Sequence, residues 1–185
     1  SWVVDQSVKE GNPIIATSIN YRVANWGFMF GSELAEAGAG NLGLRDQRLA
    51  MHWVRDNIAA FGGSPDKVTL WGESAGARSI GMQMVAHDGT DEGLFRAAIL
   101  ESGSPVAQFA SAADWQPYFD ALVSATHCDR DTGAERLACL RALPWKTLNT
   151  LFNTTSNQIN GVGFPPLSAV IDGDFMTHQG AAALR

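Results

Sequence analysis

The sequence predicts an α/β fold: a mainly parallel sheet with helices on both faces and a helical insertion after the third strand. Three observations carry this expectation. Short apolar or β-branched runs alternate with amphipathic stretches as far as residue 101, and glycine- and proline-containing breaks separate them. After residue 104 helical spacing takes over, until one more short apolar run at 168–171. Strand, helix, strand, helix, strand in that order implies parallel pairing through right-handed crossovers.

The elements follow in chain order. The run NPIIATSIN, 12–20, is β-branched and ends in polar residues, which predicts a buried strand. A long glycine-rich loop follows, of the kind that is usually functional or packed as a surface excursion. In 42–61 the residues Leu49, Trp53, Val54, Ile58 and Phe61 recur at helical spacing and predict a helix with that face buried. GGSPDK breaks it. VTLW, 68–71, reads as the second strand, 75–86 as a helix and AAILE, 97–101, as the third strand. Beyond 104, the stretches 113–126, 133–143 and 144–152 read as helices, with Pro144 suited to a first turn. SAVI, 168–171, reads as a last strand.

At 185 residues the chain has room for one domain with a substantial core. Its expected parts are a sheet core over 1–104, a helical region over 105–167 and a return toward the sheet over 168–185. The net charge of −6 and the lack of a Lys/Arg cluster argue against nucleic acid or an anionic membrane surface as partner. No apolar run approaches the length of a membrane-spanning helix, so stable membrane insertion is not expected. Cys128 and Cys139 fit no zinc spacing. They are either two buried thiols or a disulfide closing a short loop, and a disulfide implies an oxidising compartment. A sequon at Asn153-Thr154-Thr155 leans toward the same compartment.

The decisive stretch is KVTLWGESAGARSIGMQMV, 67–85. It runs an apolar strand into Gly72-Glu73-Ser74-Ala75-Gly76 and then starts a helix. A bare G-x-S-x-G is weak, and an incidental serine in a glycine-rich turn is the plainer alternative. The strand-to-helix setting is what gives it weight. Small residues on both sides let the backbone turn sharply and hold the serine in a strained conformation at the helix N-terminus. There the Ala75 N–H, backed by the helix end, is placed to donate to an oxyanion.

These residues resemble the nucleophile elbow of the type-B carboxylesterase and lipase family of α/β hydrolases. The likeness extends to INYRVANWGF, to GNLGLRDQRLAMHWVRDNIAAFGGSPDKVTLWGESAG, to LFRAAILESGSP and to VIDGDF, in order and spacing. The wording is most similar to fungal secreted lipases and sterol esterases of the Candida rugosa type, over nearly the whole chain. The resemblance implies that the sequence is part of one α/β-hydrolase catalytic domain. Ser74 then corresponds to the acylated nucleophile, Ala75 to an oxyanion donor, and Glu73 to a buried carboxylate beside the serine. It also implies that Cys128 and Cys139 close a small disulfide loop, and that the protein is secreted; the sequon makes Asn153 the expected glycosylation site.

The family's other donors come from a glycine loop before the first strand, and its acid and histidine from later strands. The chain is therefore expected to be an internal stretch of a larger enzyme, aggregation-prone and nearly inactive by itself. Within it, His52 reads as a helix-surface residue, His87 as the end of the helix after the serine, and His127 as a neighbour of the cysteines. His178 alone follows plausible acids, Asp172 and Asp174. Ser102 and Ser104 are expected to shape a pocket floor. Phe109, Trp115, Phe119, Phe152 and Phe164 either line a lipid pocket or form core. The implied activity is hydrolysis of carboxylic esters, lipid esters included, at a lipid–water interface, with no metal or organic cofactor. The alternative is an inactive adhesion or binding module on the same fold. The acyl and alcohol specificity is not readable from the sequence.

Overall fold

The strand–turn–helix unit predicted around Ser74 forms the centre of the computed structural model, which describes residues 2–105, 108–153 and 169–183. Strand β1 (Thr69–Glu73) leads through Ser74 into a helix over Ala75–Val85, and a second strand, β2 (Ala97–Glu101), returns beside the first. The two strands pair in parallel, with Thr69 opposite Ala97 and Glu73 opposite Glu101. Before this unit come α1 (Trp2–Lys9), α2 (Ala24–Phe28), α3 (Ser32–Glu36) and α4 (Leu42–Asn57), so the helix after Ser74 is α5. After it come α6 (Ala112–Ala125), α7 (Gly133–Ala142), α8 (Trp145–Phe152) and a short α9 (Gly180–Ala183).

The sheet is smaller than expected. Residues 12–20 are extended and exposed but form no strand; Ile14, Ile15 and Ile19 are each more than two-fifths exposed. A strand exists only against a partner ladder, and this segment has none among the described residues. At 168–171, residue 168 lies outside the described residues, and Val170 makes a single parallel bridge with Ala110. Among the described residues, helices on both faces are not seen either. Helix α5 packs on one face of the strand pair, while Trp71 and Ile99 on the other are about half exposed.

Helix α4 ends close to its predicted boundary, with Ile58–Phe61 continuing as a 3-10 turn. Its buried face is only in part the one that periodicity suggests. Ile58 is buried and Val54 half-buried as expected, but Leu49, Trp53 and Phe61 are mostly exposed, and Leu44, Gln47, Arg48 and Met51 are buried instead. The reason is the polar pairing with α5. Gln47 Nε2 donates to Ser79 Oγ at 3.1 Å, Gln83 Nε2 donates to the Leu44 carbonyl at 2.8 Å, and Arg48 reaches the Gln83 side-chain oxygen at 3.2 Å. These hydrogen bonds satisfy groups that would be costly to bury unpaired.

The expected long loop at 21–41 holds α2 and α3 and is well packed. Phe30, Glu33 and Asn41 are buried in it. Glu33 accepts from Ser32, from Gln116 of α6 and from Arg136 of α7, each at 3.0 Å, which ties the loop to the helical region. The helical region itself is capped as its sequence allows. Ser111 with Asp114, and Thr132 with Glu135, form reciprocal capping boxes at the starts of α6 and α7. Pro144 is the residue before α8 rather than its first turn.

The core lies in three clusters. One gathers Phe119, Leu122, Val123, Cys128, Leu137, Leu140 and Phe152 around α6–α8. A second joins Leu44, Met82, Val85, Phe109, Phe175 and Met176. The third is Phe30, Ala110, Trp115 and Val170. Phe109, Trp115, Phe119 and Phe152 are thus core residues, and Phe164 lies outside the described residues. Cys128 and Cys139 are joined in a disulfide, with Cα atoms 5.6 Å apart, within the first cluster.

Candidate active site

Ser74 stands between the end of β1 and the start of α5 with φ +52° and ψ −112°. Few non-glycine residues accept positive φ, and those that do cluster at functional sites. The turn explains the glycine before the serine, whereas a Cβ on Gly76 would meet open space. A Cβ on Gly72 would lie 2.5 Å from the Gly76 carbonyl carbon, so any side chain at 72 collides with the backbone of the turn. Two hydrogen bonds hold the serine's backbone. Its N–H donates to the Glu101 carbonyl at 2.8 Å, extending the β1–β2 ladder by one residue. Its carbonyl accepts from Arg78 N–H at 2.9 Å, the first bond of α5. The Ser74 hydroxyl is not spent on capping the helix.

Ala75 is the first residue of α5. Its amide is one of the four that a helix leaves without an intrahelical acceptor, and the helix end adds partial positive charge there. Ser74 and Ala75 are both exposed. Hydroxyl and amide therefore sit together at the carboxyl end of a parallel strand, where open α/β sheets place their ligands.

Glu73 departs from expectation: it is exposed rather than buried. It shares the uncovered face of β1 with Trp71, whose indole N–H donates to Glu101 across the pair at 2.7 Å. Ser102 and Ser104 are exposed at the end of β2, and Ser102 also has positive φ, +62°.

The histidines lie elsewhere. Among the described residues none of the four hydrogen-bonds Ser74. His52, partly buried on α4, faces Glu92 at 3.4 Å. His87 follows α5, where its N–H donates to the Phe175 carbonyl and its ring meets Phe175 edge-on. His127 precedes the bridged Cys128. His178 Nδ1 lies 2.9 Å from Thr177 Oγ1 and 3.2 Å from Asp88, away from Asp172 and Asp174. Thr177 also donates to Asp88, and this hydrogen bond, with His178 and His87 nearby, holds the exposed Asp88 carboxyl below its ordinary range.

Asp172 and Asp174 have a different task. Asp172 accepts from Asn41 Nδ2 at 2.8 Å and from Arg45 Nη2 at 3.2 Å, and Arg45 also reaches Asp174 at 2.8 Å. The Arg45 hydrogen bond lowers the Asp174 pKa. The sequence reading missed this tie between the start of α4 and 170–176, because its members lie about 130 residues apart. Arg22 and Asp46 form a second long-range pair, doubly hydrogen-bonded at 2.7 Å, which raises the Arg22 pKa and lowers that of Asp46. Asn153 is exposed at the end of α8, and Thr154 and Thr155 lie outside the described residues. Among the described residues no cluster of His, Cys, Asp and Glu is suited to a metal ion, and no helix is long and apolar enough to cross a membrane.

Comparison with known proteins bears on this geometry. Residues 4–185 match the model of the carboxylesterase family. The chain is 41% identical to Lipase 2 of Diutina rugosa over 192 residues, which covers 99% of this chain and 34% of that protein. It is 46% identical to Secreted lipase 1 of Botryotinia fuckeliana over 159 residues, 83% of this chain and 27% of the relative. It is 44% identical to a secreted triacylglycerol lipase of Gibberella zeae over 155 residues, 80% and 25% of the two. The chain thus spans about a third or less of the length of these relatives. A match along nearly its whole length, with identity above 40%, assigns the fold around Ser74 to one lineage: the chain belongs to the carboxylesterase family.

Proposed function

We propose that the protein carrying this chain hydrolyses carboxylic esters, lipid esters among them, through an acyl-enzyme on Ser74. The observation that carries the reading is the strained backbone of Ser74 between a parallel strand and a helix N-terminus, in a chain of this family. In the reaction, Ser74 Oγ attacks the ester carbonyl carbon and its proton passes to a histidine base. The tetrahedral oxyanion accepts a hydrogen bond from Ala75 N–H, a kind of contact worth about 3–4 kcal/mol of barrier. The alcohol leaves with the proton, and water then attacks the acyl carbon and restores the free serine. On this reading the base and its orienting acid are supplied from outside this sequence, since none of the four histidines here hydrogen-bonds Ser74.

The same reading places the protein outside the cell, at lipid–water interfaces. The Cys128–Cys139 disulfide and the names of the secreted relatives support this. Asn153 is the expected glycan acceptor. A fluorophosphonate probe tests the central claim. Mass spectrometry of the full-length polypeptide is expected to find the adduct on Ser74, and none in a Ser74→Ala variant. Ester hydrolysis that survives Ser74→Ala sinks the proposal. A folded protein with no adduct and no hydrolysis supports the inactive binding module instead.

A further inference from the structure

Helix α5 carries Ala77 and Gly81 four residues apart, so they share one face. The main chain that leaves β2 lies directly against that face. A Cβ on Gly103 would fall 2.7 Å from Ala77 Cβ and 2.7 Å from the Arg78 backbone nitrogen. One turn on, a Cβ on Gly81 would fall 2.6 Å from Pro105 N and 2.8 Å from the Ser104 carbonyl carbon. Backbone thus meets helix at distances no side chain permits. Gly103 is not among the residues with positive φ, so the demand at 103 is steric and not conformational.

Arg78 is the point of leverage. Its N–H donates to the Ser74 carbonyl at 2.9 Å, while the Ser74 N–H is pinned to Glu101, two residues before Gly103. The segment 101–103 therefore bears on Ser74 twice, by a hydrogen bond on one side and by contact with the first turn of α5 on the other. Pressure at Gly103 displaces the amide that closes the serine's own turn.

We propose that Gly103 is a positioning residue for Ser74: its missing side chain sets the depth at which the first turn of α5 rests, and so the aim of the Ser74 hydroxyl and the Ala75 N–H. The proposal rests on the reading of Ser74 as nucleophile. A methyl group at 103 moves the turn by a fraction of an ångström to an ångström, and misplacement of that order costs about 100-fold in rate. The added methyl is directed at Ala77 and Arg78 in the first turn of α5, so the loss is expected to fall on the chemical step.

The test is inactivation kinetics with a fluorophosphonate on the full-length polypeptide, separating the maximal rate from the half-saturating concentration, with thermal melting alongside. Gly103→Ala is expected to lower the maximal rate roughly 10- to 100-fold with little change in half-saturation. Adding Ala77→Gly removes the Cβ–Cβ collision but leaves the contact with the Arg78 nitrogen, so it is expected to restore part of the rate. Yet it lowers the melting temperature, because glycine in a helix interior costs about 1 kcal/mol. Rate and stability moving in opposite directions is what a purely structural role does not produce. An unchanged rate in Gly103→Ala overturns the proposal, as does a double variant whose rate falls with its stability. If neither variant folds, Gly103 serves the fold alone and the proposal fails. Absence of any Ser74 adduct in the unaltered protein, as in Ser74→Ala, removes the nucleophile itself and this inference with it.

Discussion

Replacing Asp172 by alanine is expected to cost about 2–4 kcal/mol of folding stability. Its side chain is 5% exposed and accepts four hydrogen bonds, from Asn41, from Arg45 and from the backbone N–H groups of Asp174 and Met176. Three of the donors survive its loss. Asn41 Nδ2 keeps the Val170 carbonyl, Arg45 keeps Asp174 and the Gly40 carbonyl, and Asp174 is exposed to water. The Met176 amide does not, because Met176 is 1% exposed. An orphaned buried donor costs about 1–3 kcal/mol, and the lost charged contacts add about another 1. Urea unfolding of the full-length polypeptide, read as a fall in midpoint at constant slope, gives the number. Asp174→Ala is the internal comparison: its side chain is 71% exposed, and the expected loss is below about 0.5 kcal/mol. Gly40→Ala should reproduce part of the larger effect, since a Cβ there would lie 2.7 Å from Asp172 Oδ2, the oxygen that accepts from Asn41 and Arg45. A loss under about 1 kcal/mol for Asp172→Ala, or equality with Asp174→Ala, refutes the reasoning.

Two further outcomes concern the helical region. Replacing both Cys128 and Cys139 with serine opens a bridge spanning 11 residues of sequence and should lower stability by about 3 kcal/mol by chain entropy; thermal melting that is unchanged contradicts the estimate. Glu33 gives a pH dependence. Burial opposes its ionisation, but hydrogen bonds from Gln116, its own backbone, Ser32 and Arg136 outweigh burial and hold its pKa below the ordinary 4.5. Its contribution is therefore full above pH 4.5 and is lost as pH falls through the lowered value. The melting-temperature gap between the unaltered protein and Glu33→Gln should be widest near neutrality and close in acid; a gap constant from pH 7 to about 3 contradicts this.

What the sequence reveals and what it hides divide along physical lines. The strand, turn and helix around Ser74 are legible because their signals are local: an apolar run, two glycines and a helical pattern. The capped starts of α6 and α7 are local in the same sense. The segment 12–20 has strand composition, but composition states only a willingness to pair, and the partner decides the outcome. For α4, periodicity locates the helix and finds only part of its buried face. Ile58 is buried as its spacing suggests, but Gln47 and Arg48, polar residues outside the apolar pattern, are buried too, with Ser79 and Gln83 as partners. The family likeness suggests a buried Glu73, whereas the uncovered face of β1 exposes it. Asp172 is visible as part of a landmark, but its partners Asn41 and Arg45 are not, because nothing local marks a contact across such a separation. Gly103 is equally silent, since steric need at a glycine is a property of the neighbour and not of the residue.

The α6–α8 cluster draws all its fully buried members from residues 119–152, and the disulfide closes within it. Its polar ties to the loop before α4 run through Gln116 and Arg136 to Glu33 and Ser32. Apolar ties run the same way, since Met29 and Leu34 pack against the cluster and Trp26 meets Phe152 edge-on, so the segment and that loop behave as one exchangeable part. Grafting the corresponding segment from a relative, with residues 26–34 exchanged to match, should alter whatever that region recognises while leaving the Ser74 turn undisturbed. Recombination within this family thus has to carry the loop before α4 together with the disulfide-closed segment.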